Sequence, residues 1–259
     1  MRVRKTKVLS IFFVLFCVAQ STCTSPNIPT GPEPTSSPAN QNALVDQILE
    51  RYIEAVGGRA AIDAVASYRA EGRFANSALH EPGKFTILGK DPHKTLSMIE
   101  FPRIGTLKKG FDGETRWVQT PAGTFTDESP QQMAELEQDA EVYRAGKIRG
   151  LYESVSLEGQ ARLNGRDIYI LAGKPVKGPT EKLLFDKETG LLRRWDMVRR
   201  NPQRGNIFVK VHLEDYREVD GVKVPFKVRF AFESFELTLN VDVLEHNVSL
   251  DDSLFAKPR

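Results

Sequence analysis

The sequence predicts a mainly β fold of the α+β class: an unclosed antiparallel β-barrel of about 10–11 strands, with two or three helices lidding its concave face. Three observations carry this expectation. Between Asn206 and His246, apolar and polar residues alternate in three successive runs, so each strand has one wet and one oily face. Asp112-Gly113, Asn164-Gly165 and Asp220-Gly221 are tight hairpin signals between such runs. Helical periodicity is confined to two or three short stretches, too few to cover a large one-sided sheet. A sandwich would make the helices decorations. A curved open barrel instead wraps the oily face on itself and leaves part of it for an apolar ligand.

The first ordered element is expected from about Ala43 to Val56, where Leu44, Ile48, Leu49, Tyr52 and Val56 recur at helical spacing behind a cap at Asn42. Gly57-Gly58 ends it, and a second short helix follows from Arg59 to Val65. From Ser67 the period changes to two. Tyr68, Ala70, Gly72 and Phe74 alternate with Arg69, Glu71 and Arg73, and strand-like runs follow at 84–90, 94–101, 106–111 and 115–120. Ser129-Pro130-Gln131-Gln132 announces a helix to about Ala145. Strands then resume at 160–163, 167–172, 181–186 and 191–198, and the polar loop 201–205 leads into the three alternating runs.

In those runs Ile207, Val209, Val211 and Leu213 share a face, as do Val222, Val224, Phe226, Val228 and Phe230, and Phe235, Leu237, Leu239, Val241 and Val243. The candidates for a cavity lining are Phe74, Trp117, Phe185, Trp195, Phe226, Val228, Phe230, Leu237, Leu239 and Val241. Core packing is the competing role for both tryptophans. Alternation places Trp195 with Leu191 and Arg193, opposite Leu192, Arg194 and Asp196. Arg69 and Arg73 lie on the polar side of their strand. They are either solvent-exposed or latch a helical lid by donating to backbone carbonyls.

The N-terminus divides from the rest by composition. Arg2, Arg4, Lys5 and Lys7 precede an apolar run from Val8 to Ala19, the charged and apolar parts of a signal peptide at 1–23. That run is shorter than the roughly 20 residues of a membrane-spanning helix. Both cysteines, Cys17 and Cys23, lie here, so no thiol remains downstream for catalysis or metal binding. Cys23 is the candidate lipidation site, with cleavage after Ser21 as the alternative. Residues 24–41, rich in Pro, Ser and Thr, form the expected tether, and 42–259 the folded domain. Without the leader the chain has 32 basic against 34 acidic residues, a net charge of −2 that gives nucleic acid no footing.

The chemistry is equally sparse. His80, His93, His212 and His246 fall in no metal-ligand spacing and fit solvent-facing or turn positions. There is no nucleophile elbow, phosphate loop or dinucleotide-binding glycine motif. Neither an enzyme activity, a metal nor a cofactor is expected.

The stretches ILERYIEAVGG, GFDGETRWVQ, FDKETGLLRRWD, DYREVDGVKVPFKVRF and HNVSLDDSLFAKP, in that order from about Asn42 to Pro258, resemble the outer-membrane lipoprotein-sorting proteins of the LolA/LolB-like family, in the divergent form of acidobacteria and related groups. The resemblance implies an unclosed barrel whose hydrophobic cavity receives acyl chains, and an early-strand arginine, Arg69 or Arg73, that closes the lid. A lipidated Cys23 would make the chain more like a membrane-attached acceptor than a diffusing carrier. The expected function is binding of lipid or lipoprotein acyl chains in the bacterial envelope, facing the periplasm and anchored at Cys23, with a role in lipoprotein sorting. The alternative is a sensor or interaction module of the same fold with no transport role. The sequence names no protein partner.

Overall fold

The computed structural model describes residues 38–78, 82–120, 122–127, 148–176, 178–201 and 205–258. The helix expected over 129–145 and the whole leader lie outside them. The described chain opens with α1 (Pro38–Ala55) and α2 (Arg59–Asp63). Helix α1 starts inside the expected tether, on a proline, whose missing amide costs nothing in a first turn. No described helix is long and apolar enough to cross a membrane.

Six strands follow as a meander: β1 (Ser67–Asn76), β2 (Gly83–Lys90), β3 (Lys94–Phe101), β4 (Gly105–Phe111), β5 (Arg116–Thr120) and β6 (Gly123–Asp127). After a 3-10 turn at Ile148–Leu151 come β7 (Ser154–Leu163), β8 (Arg166–Lys174), β9 (Glu181–Asp186) and β10 (Leu192–Asn201). The long strands β11 (Gly205–Val219), β12 (Val222–Ala231) and β13 (Glu236–His246) complete the set. All thirteen join in one antiparallel sheet, ordered β6-β5-β4-β3-β2-β1-β13-β12-β11-β10-β9-β8-β7. Its edges are β6 and β7, so the barrel is unclosed, as expected, with more strands than expected. Strand β6 has no counterpart among the expected runs, and β7 and β11 are longer than the runs expected at 160–163 and from Ile207 to Leu213.

Asn164-Gly165 and Asp220-Gly221 both take positive φ at both positions, the backbone of a two-residue hairpin turn. At Asp112-Gly113 the Asp112 carboxylate accepts from the amides of Glu114 and Thr115, at 2.9 and 2.7 Å.

Helix α1 seals one part of the concave face. Val45, Ile48, Leu49, Tyr52, Ile53 and Val56 form one buried cluster with Leu171, Leu183 and Phe185 of β8–β9 and Val222, Val224 and Phe226 of β12. The end of the helix is fixed to the β11–β12 turn: the amide of Lys223 donates to the carbonyl of Val56 at 2.8 Å. Gly57 takes φ 124°, and a Cβ there would stand 2.0 Å from the carbonyl oxygen of Gly221. Only glycine meets both demands.

On the convex face, the C-terminal segment straps β1–β5. Phe255 is fully buried against Leu88, Leu96 and Trp117. Lys90 and Lys94 hold Asp252 at 2.7 and 2.6 Å, and these bonds bring its carboxyl down to about 2. Asp252 is thus an anchor point of the strap.

Candidate functional site

Three irregularities decide which side chains look into the barrel. Between β1 and β13 the pairing skips Asp242. Val241 and Leu244 therefore pack inward, whereas Val243, expected with them, is turned outward and is 49% exposed. Between β9 and β10 the skipped residue is Arg193, which places Leu192 and Trp195 on one face, across from Phe185 and Leu183. The alternation expected for Trp195 is broken by that bulge. The third skip, at Glu158 of β7, leaves Val155 and Leu157 inside and turns Ala161 and Leu163 outward.

The ten candidate lining residues fall into three groups. Phe185, Phe226 and Val241 belong to the part sealed by α1; Phe185 meets Tyr52 edge-on at 5.3 Å. Val228 and Phe230 belong to a second inward cluster with Met197, Val209 and Val211, to which no described helix contributes. Their partners across the ladder are Leu239 and Leu237, both half-buried, and Phe74 lies opposite Leu239 on the other side. Trp195 touches both clusters and marks the boundary between sealed and unsealed face.

Trp117 is elsewhere. Gly110 lies across from it, and their shared face is the convex one that also carries Leu88 and Leu96. Its indole nitrogen donates to the carbonyl of Phe255, so it belongs to the C-terminal strap and not to the lining. Arg69 and Arg73 also face outward. Among the described residues, Arg69 pairs with Glu71 at 2.5 Å and Arg73 with Asp242 at 3.1 Å, both carboxylates of the sheet.

The sequence reading missed two charged groups that point inward. Glu181 is buried in step with Leu183 and Phe185, and its carboxylate accepts from Tyr152 Oη at 2.7 Å and Trp195 Nε1 at 2.8 Å. Lys109 shares a face with Leu107 and Phe111 and lies near Arg116 in the ladder; burial, then the Arg116 charge, pushes its ammonium down to about 8. Alternation within each strand was the available signal for both.

Beside α1 a cleft of about 640 Å³ opens, with an apolar floor of Leu49, Ile53, Ile148 and Leu151. Arg149–Asp46 at 3.1 Å and Arg59–Glu50 at 2.5 Å edge it. Among the described residues, no three His, Cys, Asp or Glu side chains are grouped to hold a metal. His212 and His246 are not the solvent-facing residues expected. The His246 side chain is fully covered, and burial, followed by Arg229 and Arg194, pushes His212 down to about 4.

No protein-family model and no curated protein matches the chain. Solved structures do. A LolA superfamily protein from Nitrosomonas europaea superposes with a TM-score of 0.57 at 14% identity, covering 82% of this chain and 97% of its own. A domain from Vibrio parahaemolyticus described as an outer membrane lipoprotein-sorting protein gives 0.57 at 13% identity, covering 81% and 96%. A DUF1329 family protein from Desulfovibrio piger gives 0.55 at 17%, covering 82% and 97%. The chain has the LolA-type fold.

Proposed function

We propose that this protein binds lipid in the bacterial envelope, taking acyl chains onto the part of the concave face that α1 leaves unsealed. The observation that carries the reading is the division of that face. One cluster is closed by α1, while Val228, Phe230, Leu237 and Leu239 continue the apolar surface beyond it with no described helix among them. Such a surface suits a flexible hydrocarbon chain, which needs buried area and few directional partners. The buried Glu181, with Tyr152 and Trp195 on it, sits at the boundary and gives the site a polar limit.

The fold shared with the lipoprotein-sorting domain of Vibrio parahaemolyticus supports a lipoprotein acyl chain as cargo and a role in sorting. The leader supports a periplasm-facing protein anchored at Cys23.

Lipid extraction and native mass spectrometry of protein purified from its own envelope test the cargo. Co-purifying acyl lipid, displaced by a fluorescent fatty acid, is the expected result; an empty protein that takes up no apolar probe sinks the reading. The anchor is tested separately by Cys23→Ser, which should release the protein from the membrane fraction.

A further inference from the structure

Strand β7 ends the sheet: among the described residues it pairs with β8 and with no other strand. An edge strand offers a row of backbone donors and acceptors to a further strand, and bulges and charges are the usual guards against one. The guard here is the skipped Glu158, whose carboxylate accepts from Lys182. It interrupts the edge at one point only. Beyond it residues 159–163 run flush along 166–170 of β8, residue against residue, with no proline or lysine among them.

That short segment has two distinct faces. Gly159, Ala161 and Leu163 look to the convex side, where Ala161 and Leu163 pack half-buried on Ile168, Ile170 and Leu184. Gln160 and Arg162 look to the other side and are exposed. A Cβ on Gly159 would meet no atom within 4 Å, so the apolar cluster ends at the edge beside open space. Residues directly opposite in an antiparallel pair share a face, so a second copy of β7 can pair here only in registers that match these faces. Centring the pair on Gly159 or Gln160 runs each copy into the other's bulge at Glu158. Centring it on Arg162 sets two arginines opposite each other, and on Leu163 it runs into the Asn164-Gly165 turn. Centring it on Ala161 sets Gln160 opposite Arg162 twice and Leu163 opposite Gly159 twice, so the leucine takes the space that the glycine leaves.

We propose that residues 159–163 of β7 are a dimerisation edge, pairing antiparallel with the same residues of a second copy about a twofold axis at Ala161. The segment is its own complement in shape and charge, which a symmetric interface demands and an unrelated partner strand does not need. Because opposite residues share a face, the axis stands across the sheet. The two sheets become one, and both concave faces open to the same side. So short a contact makes a weak dimer in dilute solution. It does not depend on what the concave face binds, so its failure leaves the lipid reading standing.

Single-cysteine cross-linking tests it, since Cys17 and Cys23 are the two cysteines of the chain and both can be replaced by serine. In that parent, Ala161→Cys puts two thiols opposite each other across the axis, within disulfide reach. Ser156→Cys separates them by about 33 Å, at ~3.3 Å per residue. The expected result is a disulfide-linked dimer from Ala161→Cys and next to none from Ser156→Cys. Sedimentation of the parent should show a monomer–dimer equilibrium. Gln160→Glu keeps Lys187 as its neighbour and faces Arg162 of the other copy, so it should tighten the dimer about fivefold. Adding Arg162→Glu sets like charges opposite and should loosen it below the parent. Both side chains are exposed, so these variants should melt like the parent when dilute. No dimer from Ala161→Cys, equal cross-linking at both positions, or an equilibrium that Gln160→Glu leaves unmoved overturns the proposal. So does a cross-link from Ala161→Cys to a different envelope protein in place of the dimer, or growth past the dimer into open chains.

Discussion

The indole nitrogen of Trp117 donates a 2.7 Å hydrogen bond to the main-chain carbonyl of Phe255, across 138 residues of sequence, and the two rings are buried together on the convex face. This contact ties the C-terminal strap to the sheet on the side away from the concave face. Trp117→Phe would leave a buried acceptor without its donor, a loss of about 1–3 kcal/mol. The expected outcome is a lower Tm and faster proteolysis of the C-terminal segment with apolar-probe affinity unchanged. A loss of affinity at unchanged stability would instead put Trp117 in the lining.

Gly57 tests how α1 is held. In Gly57→Ala the new methyl meets the Gly221 carbonyl, and the backbone must keep a φ that alanine avoids. Pushing the α1 terminus off β12 breaks the bond from the Lys223 amide to Val56. The expected loss is on the order of 3 kcal/mol, and thermal melting reads it. Gly58→Ala separates steric from conformational cost, because Gly58 shares the positive φ but no atom lies within 4 Å of its added Cβ. It should lose markedly less.

The fold was legible because period-two alternation and Asx-Gly turns are local signals. The lining was legible only in part, because which face a residue joins depends on bulges, and those are set by pairing. One extra residue at Asp242 turns Val243 out and Leu244 in, and another at Arg193 joins Trp195 to Leu192. Trp117 stands among the lining candidates, with core packing as its competing role, yet what places it is Gly110 across the ladder, where a Cβ would stand 2.2 Å from the indole. Nothing in the local sequence of either strand names that partner. The strand β6 lacks an apolar alternation of its own and takes its place by pairing with β5.

His212 and Lys109 give the pH profile two arms. His212 has its folded-state pKa lowered from 6.5 to about 4 by burial and by Arg229 and Arg194, against Glu214 and Glu236. Between these values the unfolded chain binds the proton and the folded one does not, so stability falls as pH drops from 6.5 toward 4. His212→Gln should flatten that decline. Lys109 is lowered from 10.5 to about 8, so the unfolded state again holds the extra proton in that window, and stability should rise with pH from 8 toward 10. Lys109→Met should remove the rise. Chemical denaturation of the three proteins across pH checks both arms, and parallel profiles for parent and variants would refute the assignments.

The division of the concave face makes the sharpest prediction, because two phenylalanines of the same sheet should behave oppositely. Phe185 is 1% exposed and sealed against Tyr52, so Phe185→Ala should cost about 3–5 kcal/mol and leave probe affinity of the folded protein intact. Phe230 is half-buried, outside the reach of α1, and opposite Leu237. Truncating it removes surface a hydrocarbon chain would cover, so Phe230→Ala should weaken fatty-acid binding roughly fivefold to tenfold with a smaller loss of stability. Displacement titrations and melting curves on the two variants separate the roles. If affinity follows Phe185 and ignores Phe230, the ligand lies under α1, and the helix would have to move to admit it.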